Sequence, residues 1–329
     1  MSRQRILVTG VAGFLGSNLL AALLERGDEV VGIDNLSQGS SKNVDEFLKH
    51  SSFTLLEGDV RDARTFEKAS GNFDAIVHLA AFKIPRYGGA IDTLKINSLG
   101  TENALEFARR RARKVLIAST SDVYGKNSAL PFRESSDLVI GPPTVKRWAY
   151  AVSKMFDEQL ALAYQEAYGL SVVVLRFFGG YGPKEHRSWW GGAPSVFIEQ
   201  ALAEKTLEIH GDGLQQRTFT YVGDLVGGIL LAVDAQKASG RVINLGSDEE
   251  TTILDLGKRI WSLIHPDREA PIQLISYESF KGPYEDVRRR VPDISLAREI
   301  LGFQARVSMA QGLPRTIAWH RQTNGRSSS

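Results

Sequence analysis

Short apolar runs alternate with longer amphipathic segments over the first 180 residues of the chain. Six of these runs are rich in Val, Ile and Leu and show almost no alternation with polar residues; they cover residues 6–8, 29–33, 53–56, 74–78, 114–118 and 171–175. Parallel strands covered by helices on both faces have this composition, and the amphipathic segments between them have the length of crossover helices. The pattern predicts an α/β fold with a doubly wound parallel sheet.

The pattern changes after about residue 176. Gly, Pro and Trp cluster between residues 179 and 194, and only short helical and strand-like segments follow. This change predicts two parts, a sheet domain of residues 1–180 and a smaller α/β lobe of residues 181–329, with elements that cross between them. The polar end of the chain, residues 324–329, is expected to be disordered.

Composition and charge exclude several classes of protein. The 329 residues contain 40 Lys and Arg and 38 Asp and Glu, a formal net charge of +2, so we expect no nucleic-acid partner. The chain has no Cys, and its six His are far apart in sequence, so we expect no disulfide, no cysteine nucleophile and no metal site. The absence of a signal peptide and of any apolar run of about 18 residues predicts a cytoplasmic protein without a membrane partner.

The first predicted strand is followed by three glycines in a G-x-x-G-x-x-G spacing, Gly10, Gly13 and Gly16. Such glycines let the backbone turn tightly and approach a pyrophosphate closely. The helix expected over residues 14–25 would present the amides of Phe14 and Leu15, and the positive end of its dipole, to that anion. Because the motif lies between a predicted strand and a predicted helix, it indicates a dinucleotide-binding site of the Rossmann type.

Asp34 ends the second predicted strand. A carboxylate at this place accepts hydrogen bonds from the adenosine ribose and repels a 2′-phosphate, so it favours NAD over NADP as the cofactor. Residues near the ends of the neighbouring strands are expected to complete the cofactor site. These further candidates are Asn35, Asp59, Val60, Leu79, Ala80 and Ala81.

Tyr150 and Lys154 lie four residues apart on a predicted helix, so both side chains project from one face. A tyrosine with a pKa of about 10 is a poor base at neutral pH. The Lys154 ammonium and a positively charged nicotinamide ring would lower the pKa of Tyr150, whose phenolate would then take a proton from a sugar hydroxyl. Lys154 is also expected to contact the cofactor. After the fifth strand, Thr120 or Ser121 would hydrogen-bond the same sugar oxygen, and Asp122 is a candidate acid–base group.

These motifs together resemble the extended short-chain dehydrogenase/reductase family, and more narrowly its NAD-dependent epimerase/dehydratase group, whose members act on nucleotide sugars. The resemblance rests on the glycine motif, Asp34, Asp59, residues 78–81, residues 119–125 and the pair Tyr150 and Lys154, and it extends from about residue 4 to 322. It implies a tightly held NAD, a UDP-sugar substrate and oxidation of the sugar C4 hydroxyl to a ketone. It also implies a homodimer that pairs the helices expected near residues 88–111 and 150–168.

Two further stretches, residues 138–154 and 282–293, are similar to bacterial UDP-glucuronate decarboxylases, in which Glu stands at the position of Asp122 and an Arg that matches Arg290 is needed for activity. UDP-sugar 4-epimerases usually have a small residue in place of Asp122. The resemblance favours decarboxylation of UDP-glucuronate to a 4-keto-pentose or UDP-xylose type of product, with Asp122, or a water that it holds, returning a proton to C5. A UDP-glucose or UDP-glucuronate 4-epimerase is the alternative, and a non-catalytic NAD-binding scaffold is a more distant one.

Several basic residues are candidates for binding the substrate. Arg217 and Arg290 match phosphate-side arginines of the family and are expected to bind the diphosphate. Lys83, Arg86 and Arg187 are candidates for contact with the sugar, because an arginine can pair with a sugar carboxylate through two hydrogen bonds.

Two features depart from the decarboxylase pattern. Gly179 stands where many relatives have Asn, so one expected hydrogen bond to the substrate would be missing. The segment 186–192, with its two Trp and two Gly, also does not match. We therefore expect this part of the site to differ from that of the usual decarboxylases.

Overall fold

The computed structural model describes residues 3–83, 89–280 and 283–324; Arg86 and residues 325–329, for which the sequence raised expectations, lie outside them. In chain order the strands are β1 (Arg5–Thr9), β2 (Glu29–Asp34), β3 (Phe53–Glu57), β4 (Ala75–His78), β5 (Lys114–Thr120), β6 (Ser171–Phe177), β7 (Gly180–Tyr181), β8 (Leu207–His210), β9 (Gln216–Thr218), β10 (Thr220–Tyr221), β11 (Arg241–Leu245), β12 (Glu250–Thr252), β13 (Ile272–Ile275) and β14 (Arg289–Arg290). The helices are α1 (Phe14–Glu25), α2 (Ala63–Glu67), α3 (Ala90–Arg111), α4 (Trp148–Tyr168), α5 (Ala193–Leu202), α6 (Val222–Asp234), α7 (Ile253–Ile264), α8 (Ser295–Leu301) and α9 (Met309–Asn324).

Seven parallel strands form the central sheet, in the order β11-β6-β5-β4-β1-β2-β3. The two faces of β1 explain why its sequence does not alternate. Ile6 and Val8 pack with residues of α1 and α6, and Leu7 packs on the opposite face with residues of α3. Both faces are therefore covered by helices, as the unalternating apolar run requires. The predicted α/β fold with a doubly wound parallel sheet is confirmed.

The six predicted strands are present, and the sheet has a seventh, β11, that the apolar pattern did not predict. β11 follows α6 and pairs with β6 at the edge of the sheet. Its sequence is interrupted by Asn244, which is fully buried and accepts a hydrogen bond from the Tyr124 hydroxyl at 2.7 Å. Residues beyond 180 thus contribute a strand to the central sheet. The division of the chain into two parts at residue 180 stays a prediction.

A second apolar cluster lies in the smaller lobe, where side chains of α5, α7, α9 and β8 pack together, among them Phe197, Leu207 and Ile260. Strand β9 lies between β12 and β14 in a small sheet. The pairing of β14 with β9 places Arg290 directly beside Arg217. This small sheet therefore brings together two arginines that are far apart in sequence.

Helices α3 and α4 pack against each other on one side of the molecule. Each presents apolar side chains to the surface: Ile91 and Leu94 on α3, and Val152 and Phe156 on α4, are between 39% and 66% exposed. Within the described part of the chain, no helix combines the length and the apolar character that crossing a membrane requires.

Candidate active site

The glycine loop after β1 has a backbone shape that side chains would prevent. Gly10 has φ +70°, and a Cβ on it would lie 2.8 Å from the amide nitrogen of Ala80. A Cβ on Gly16 would collide with the Gly10 carbonyl oxygen. Gly13 precedes α1 and no side chain caps this helix, so the amides of its first turn, which include those of Phe14 and Leu15, can bind an anion. The loop fits the pyrophosphate of the predicted dinucleotide.

The predicted ribose-binding carboxylate, Asp34, lies at the end of β2 beside this loop. It accepts hydrogen bonds from the amides of Ala12 at 2.9 Å and Leu36 at 2.8 Å. Burial raises its pKa, and these backbone hydrogen bonds oppose the rise. Asp34 therefore fixes the glycine loop to the end of β2, next to the expected position of the adenosine.

The other predicted cofactor residues lie along the same edge of the sheet. Asp59 accepts a hydrogen bond from Asn35 Nδ2 at 3.2 Å and pairs with Arg61 at 2.7 Å, and the hydrogen bond from Arg61 lowers its pKa. Two backbone hydrogen bonds tie the end of β4 to β1: the Leu79 amide donates to the Thr9 carbonyl and the Ala80 amide to Thr9 Oγ1, both at 3.2 Å. Val60 is buried and Ala81 half-buried at the same edge.

Tyr150 lies near the start of α4, opposite the end of β5. Burial raises its pKa, the charges of Asp122 and Asp157 raise it further, and a hydrogen bond with Thr120 opposes the rise. Lys154 is buried and donates to Asp157 Oδ2 at 2.6 Å. The Lys154 ammonium is thus paired with a carboxylate of its own helix, and its effect on the pKa of Tyr150 stays a prediction.

Three arginines and two aspartates form a chain of ion pairs next to Tyr150; we call this group the arginine cluster. Arg290 lies 2.8 Å and Arg147 lies 3.5 Å from Asp122 Oδ1. Arg147 also lies 3.2 Å, and Arg217 lies 2.9 Å, from Asp286 Oδ1. The cluster contains more cationic than anionic side chains, so it is suited to an anion such as a diphosphate.

The cluster sets the charge state of Asp122. Burial alone would raise the pKa of this carboxyl, but the charges of Arg290 and Arg147, with a smaller effect of Lys83, lower it to about 2. Asp122 is therefore ionised at neutral pH. Burial lowers the pKa of Arg217 to about 10, and the neighbouring charge of Arg290 adds to this effect.

Sequence reasoning missed Arg147 and Asp286 as site residues, although both lie in stretches similar to the decarboxylases. Asp286 also accepts a hydrogen bond from the Tyr277 hydroxyl at 2.6 Å, and the Arg147 guanidinium lies 4.9 Å from the centroid of the Trp148 ring. Their positions in the sequence could have identified them as site residues, because Arg147 precedes Tyr150 by three residues and Asp286 precedes Arg290 by four.

A buried network of polar side chains lies next to the end of β5. Ser119 donates to Glu158, and Arg176 binds both carboxylate oxygens of Glu158, at 2.9 and 2.7 Å. Arg176 also donates to the Tyr124 hydroxyl at 2.9 Å, which in turn donates to Asn244. The network ties β5, β6 and β11 to α4, and it thereby fixes the end of β5 relative to Tyr150.

Two predicted substrate residues, Lys83 and Gly179, are engaged with the protein itself. Lys83 Nζ donates to the Trp190 carbonyl at 3.3 Å. Gly179 has φ +30° and its carbonyl accepts from the Thr220 amide at 2.6 Å. A Cβ on Gly179 would collide with the Thr218 carbonyl oxygen, so the local backbone has no space for the Asn of the relatives.

Arg187, another predicted substrate residue, contacts other side chains of the smaller lobe. Its guanidinium donates to Thr323 and lies 5.3 Å from the centroid of the Trp319 ring, both on α9, and 3.8 Å from Glu199 on α5.

Arg86 is outside the described residues. Ser121 is buried and accepts a hydrogen bond from Arg290 at 3.4 Å. In the described ranges, no group of three or more His, Asp and Glu side chains is placed to hold a metal ion.

Comparison with known proteins gives concordant results. A family model described as the NAD dependent epimerase/dehydratase family matches residues 6–246. The chain is 35% identical, over 97% of its length, to a UDP-N-acetyl-alpha-D-glucosaminuronate decarboxylase of Bacillus cytotoxicus, of which it covers 98%. It is 36% identical, over 96% of its length, to UDP-glucuronic acid decarboxylase 1 of Danio rerio, of which it covers 72%.

A solved structure of a UDP-glucuronic acid 4-epimerase from Bacillus cereus, in complex with UDP-glucuronic acid and NAD, superposes with a TM-score of 0.84. The match has 29% sequence identity and covers 97% of this chain and 99% of the other. Together these matches confirm the resemblance drawn from the motifs and the prediction of NAD as the cofactor.

Proposed function

The chain belongs to the NAD dependent epimerase/dehydratase family, and from that premise we propose that it oxidises a UDP-linked glucuronate at C4 and then decarboxylates it. Relatives of 35% and 36% identity are decarboxylases of UDP-linked sugars that carry a carboxylate. In this proposal, residues 1–180 supply the NAD side of the cleft and residues 181–329 the nucleotide-sugar side.

The charged wall beside Tyr150 is the observation that carries the proposal. Arg290 and Arg147 hold Asp122 there, and the negative charge of Asp122 raises the pKa of Tyr150. A 4-epimerase must let the keto-sugar turn over between two faces, which requires space and a wall without strong partners. A decarboxylase keeps the sugar in one orientation, and fixed charges along one side of the site favour a single orientation.

Tyr150 is the proposed base for the C4 hydroxyl, and Thr120 the group that holds the same oxygen. Burial and the charges of Asp122 and Asp157 raise the pKa of Tyr150, so formation of the phenolate requires a positive charge beside it. Bound NAD supplies the hydride acceptor for C4 and a positively charged ring that favours the phenolate. We propose that Lys154 turns from Asp157 toward Tyr150 in that state.

Oxidation at C4 makes the glucuronate a β-keto acid. The C5–C6 bond then breaks, carbon dioxide leaves, and the electron pair moves onto the C4 oxygen. The resulting enolate requires a proton at C5. Asp122 is a poor direct donor of this proton, because its pKa is held at about 2. Of the two routes that the sequence left open, Asp122 itself or a water that it holds, we propose the water, with Asp122 also orienting Arg290.

The diphosphate is proposed to bind to Arg217 and Arg290. These two arginines are neighbours on paired strands, and their side chains are each 15% exposed. Asp286 pairs with Arg217, and Asp122 pairs with Arg290. A bound diphosphate would offer the same guanidinium groups stronger, doubly charged partners.

Incubation of the NAD-loaded protein with UDP-glucuronate tests this function. Mass spectrometry of the product should show the loss of carbon dioxide from the sugar. A product of unchanged mass with inverted C4 would contradict decarboxylation and establish the 4-epimerase, which the likeness to the Bacillus cereus epimerase favours. Complete recovery of UDP-glucuronate under NAD saturation would contradict both.

We further propose that the protein is a homodimer through the outer faces of α3 and α4. Ile91 and Phe156 are 66% and 51% exposed on these adjacent helices, and an apolar surface of this kind favours association. Sedimentation velocity should show a dimer for the wild type and a monomer for Phe156→Glu. A monomeric wild type at the highest concentration measured would contradict the proposal.

A further inference from the structure

The segment 186–192, which departs from the decarboxylase pattern, is a tight loop. The Ser188 carbonyl accepts a hydrogen bond from the Gly191 amide at 2.8 Å, and Ser188 Oγ accepts one from the Trp190 amide at 3.3 Å. A Cβ on Gly191 would collide with the His186 carbonyl oxygen, so the turn requires glycine at this position. These contacts fix the backbone from which the two tryptophans of the loop extend.

The two tryptophans pack against different parts of the molecule. The Trp189 ring stacks on the His210 ring of β8, with centroids 4.2 Å apart and an angle of 24° between the ring planes. The Trp190 ring packs edge-on against the Phe82 ring, with centroids 5.0 Å apart. Because His210 lies in the smaller lobe and Phe82 follows β4 of the central sheet, this loop connects the two lobes.

Trp190 contacts two consecutive residues of the segment that follows β4. Its ring packs on Phe82, and its carbonyl oxygen accepts a hydrogen bond from Lys83 Nζ at 3.3 Å. The first of these contacts holds a side chain, and the second holds the next residue along the chain. A single residue of the smaller lobe therefore restrains this segment at two places.

Asn97, on α3, fixes the backbone of the same segment. The Phe82 amide donates to Asn97 Oδ1 at 2.7 Å, and the Phe82 carbonyl accepts from Asn97 Nδ2 at 3.3 Å. Asn97 is fully buried and also donates to Ser153 Oγ at 2.8 Å, one residue before Lys154 on α4. The Phe82 backbone is thus tied to the helix that carries the proposed base, while the Phe82 ring contacts the smaller lobe.

We propose that Trp190 is a positioning residue for NAD, which acts through Phe82 and Lys83. The expected cofactor residues 79–81 come directly before Phe82, so a restraint on Phe82 also restrains their backbone. Without the Trp190 ring this segment is less ordered, and binding of NAD must restore its order at a cost in affinity. The smaller lobe therefore contributes to cofactor binding, whichever reaction of the sugar follows.

Trp190→Ala tests the proposal, with NAD and UDP as the probes and the full-length protein freed of bound nucleotide. Calorimetry should show the dissociation constant of NAD raised about tenfold, an effect of the size that loss of an aromatic pair produces. The dissociation constant of UDP should stay unchanged. Trp190→Phe keeps a ring against Phe82 and the backbone carbonyl for Lys83, so it should restore the NAD affinity to within about threefold of the wild type.

Trp319→Ala is the matched control, because it removes a half-buried tryptophan of α9 that contacts Arg187 of the same loop. It should leave NAD affinity unchanged. A dissociation constant of NAD within about threefold of the wild type in Trp190→Ala would overturn the proposal. Equal weakening of NAD and UDP binding in Trp190→Ala, or the same loss of NAD affinity in Trp319→Ala, would also overturn it and indicate a general loss of packing.

If Trp190→Ala does not fold, Trp190→Leu decides, since leucine keeps an apolar side chain but no ring. Its NAD affinity must then be lower than that of Trp190→Phe, and equal affinities would overturn the proposal. A wild type that does not bind NAD overturns the cofactor assignment itself, and this inference with it. A wild type that binds NAD but releases no carbon dioxide contradicts only the decarboxylase function, and the comparison of NAD affinities still decides the role of Trp190.

Discussion

The two sides of the cleft are built in different ways. On the cofactor side, the loop Gly10–Gly16 is shaped by close backbone contacts: a Cβ on Gly16 would collide with Gly10 of the same loop, and a Cβ on Gly10 would collide with the main chain at Ala80. On the substrate side, the arginine cluster draws charged side chains from positions 122, 147, 217, 286 and 290. The comparison teaches that the steric demands of the cofactor loop leave a glycine spacing that is visible in the sequence, whereas the pairing of charges appears only in the folded chain.

The largest effect is expected where the two sides meet, at Tyr150. Tyr150→Phe removes the proposed base and should lower turnover by about 10³-fold, within the range for a general base. Carbon dioxide release and NAD binding by calorimetry would be measured together. NAD affinity should change little, because the substitution removes only the hydroxyl.

Tyr164→Phe is the matched control on the same helix. Its hydroxyl donates to Glu106 Oε1 at 2.6 Å, on the side facing α3 and far from the cleft. The loss of this hydrogen bond should cost about 1 kcal/mol of stability and leave turnover unchanged. Full turnover by Tyr150→Phe would disprove the assigned base.

The next largest effect should come from Gly16→Ala on the cofactor side. The new Cβ would collide with the Gly10 carbonyl, so the loop must open and lose its fit to the pyrophosphate. We expect the dissociation constant of NAD to rise about 100-fold, or about 3 kcal/mol. Gly227→Ala in α6, where a Cβ meets no atom within 4 Å, should leave NAD binding unchanged and stabilise the helix by about 1 kcal/mol. Equal NAD affinity in the two variants would contradict the steric argument.

A smaller effect is expected on the substrate side from Arg217→Ala. One guanidinium of the arginine cluster is lost, and Asp286 keeps its ion pair with Arg147. A hydrogen bond to a charged group contributes about 1.5–3 kcal/mol, so the KM for the UDP-sugar should rise about 30-fold while NAD affinity stays constant. Arg288→Ala is the control, because Arg288 is 67% exposed and pairs with Asp212 at the surface. A KM unchanged in Arg217→Ala would remove this arginine from the diphosphate site.

The same contrast explains what could be predicted from the sequence. Six strands, helix α1 and the cofactor loop were predictable because their signals are short apolar runs and a glycine spacing that act locally. The seventh strand, β11, was not, because Arg241 and the buried Asn244 interrupt its apolar pattern. Asn244 is accommodated by the distant Tyr124, and no local pattern reports that contact.

In the candidate site, too, some features could be predicted from the sequence and others could not. Tyr150 and Thr120 were predictable from motifs, and the structure brings them together. The pairing of Lys154 with Asp157 was not predicted, since a Lys three residues before an Asp indicates either a surface pair or a buried one. The state of Asp122 depends on Arg290, which is 168 residues away in the sequence. Charge states at this site are set by the fold.

The smallest predicted effect is a difference in how the two sides of the cleft contribute to stability when the pH is lowered. His78, beneath the cofactor loop, is 1% exposed and shares a hydrogen bond of 2.8 Å with Thr9 Oγ1, and burial lowers its pKa to about 3. The unfolded chain binds this proton near pH 6.5, so stability falls as the pH drops below that value, by about 2 kcal/mol at pH 5. Asp122, with a lowered pKa, keeps its contribution above pH 4 and loses it only as the pH falls toward 2.

Between pH 7 and 5, therefore, the His78 contribution should change and the Asp122 contribution should not, and His78→Asn should remove the part that comes from His78. Urea unfolding at both pH values should show a loss of stability that is about 2 kcal/mol smaller in the variant than in the wild type. His50→Asn, at an exposed histidine, should keep the dependence of the wild type. A His78→Asn variant with an unchanged loss would mean that the acid-sensitive group lies elsewhere, and that the cofactor side is no more sensitive to mild acid than the arginine cluster.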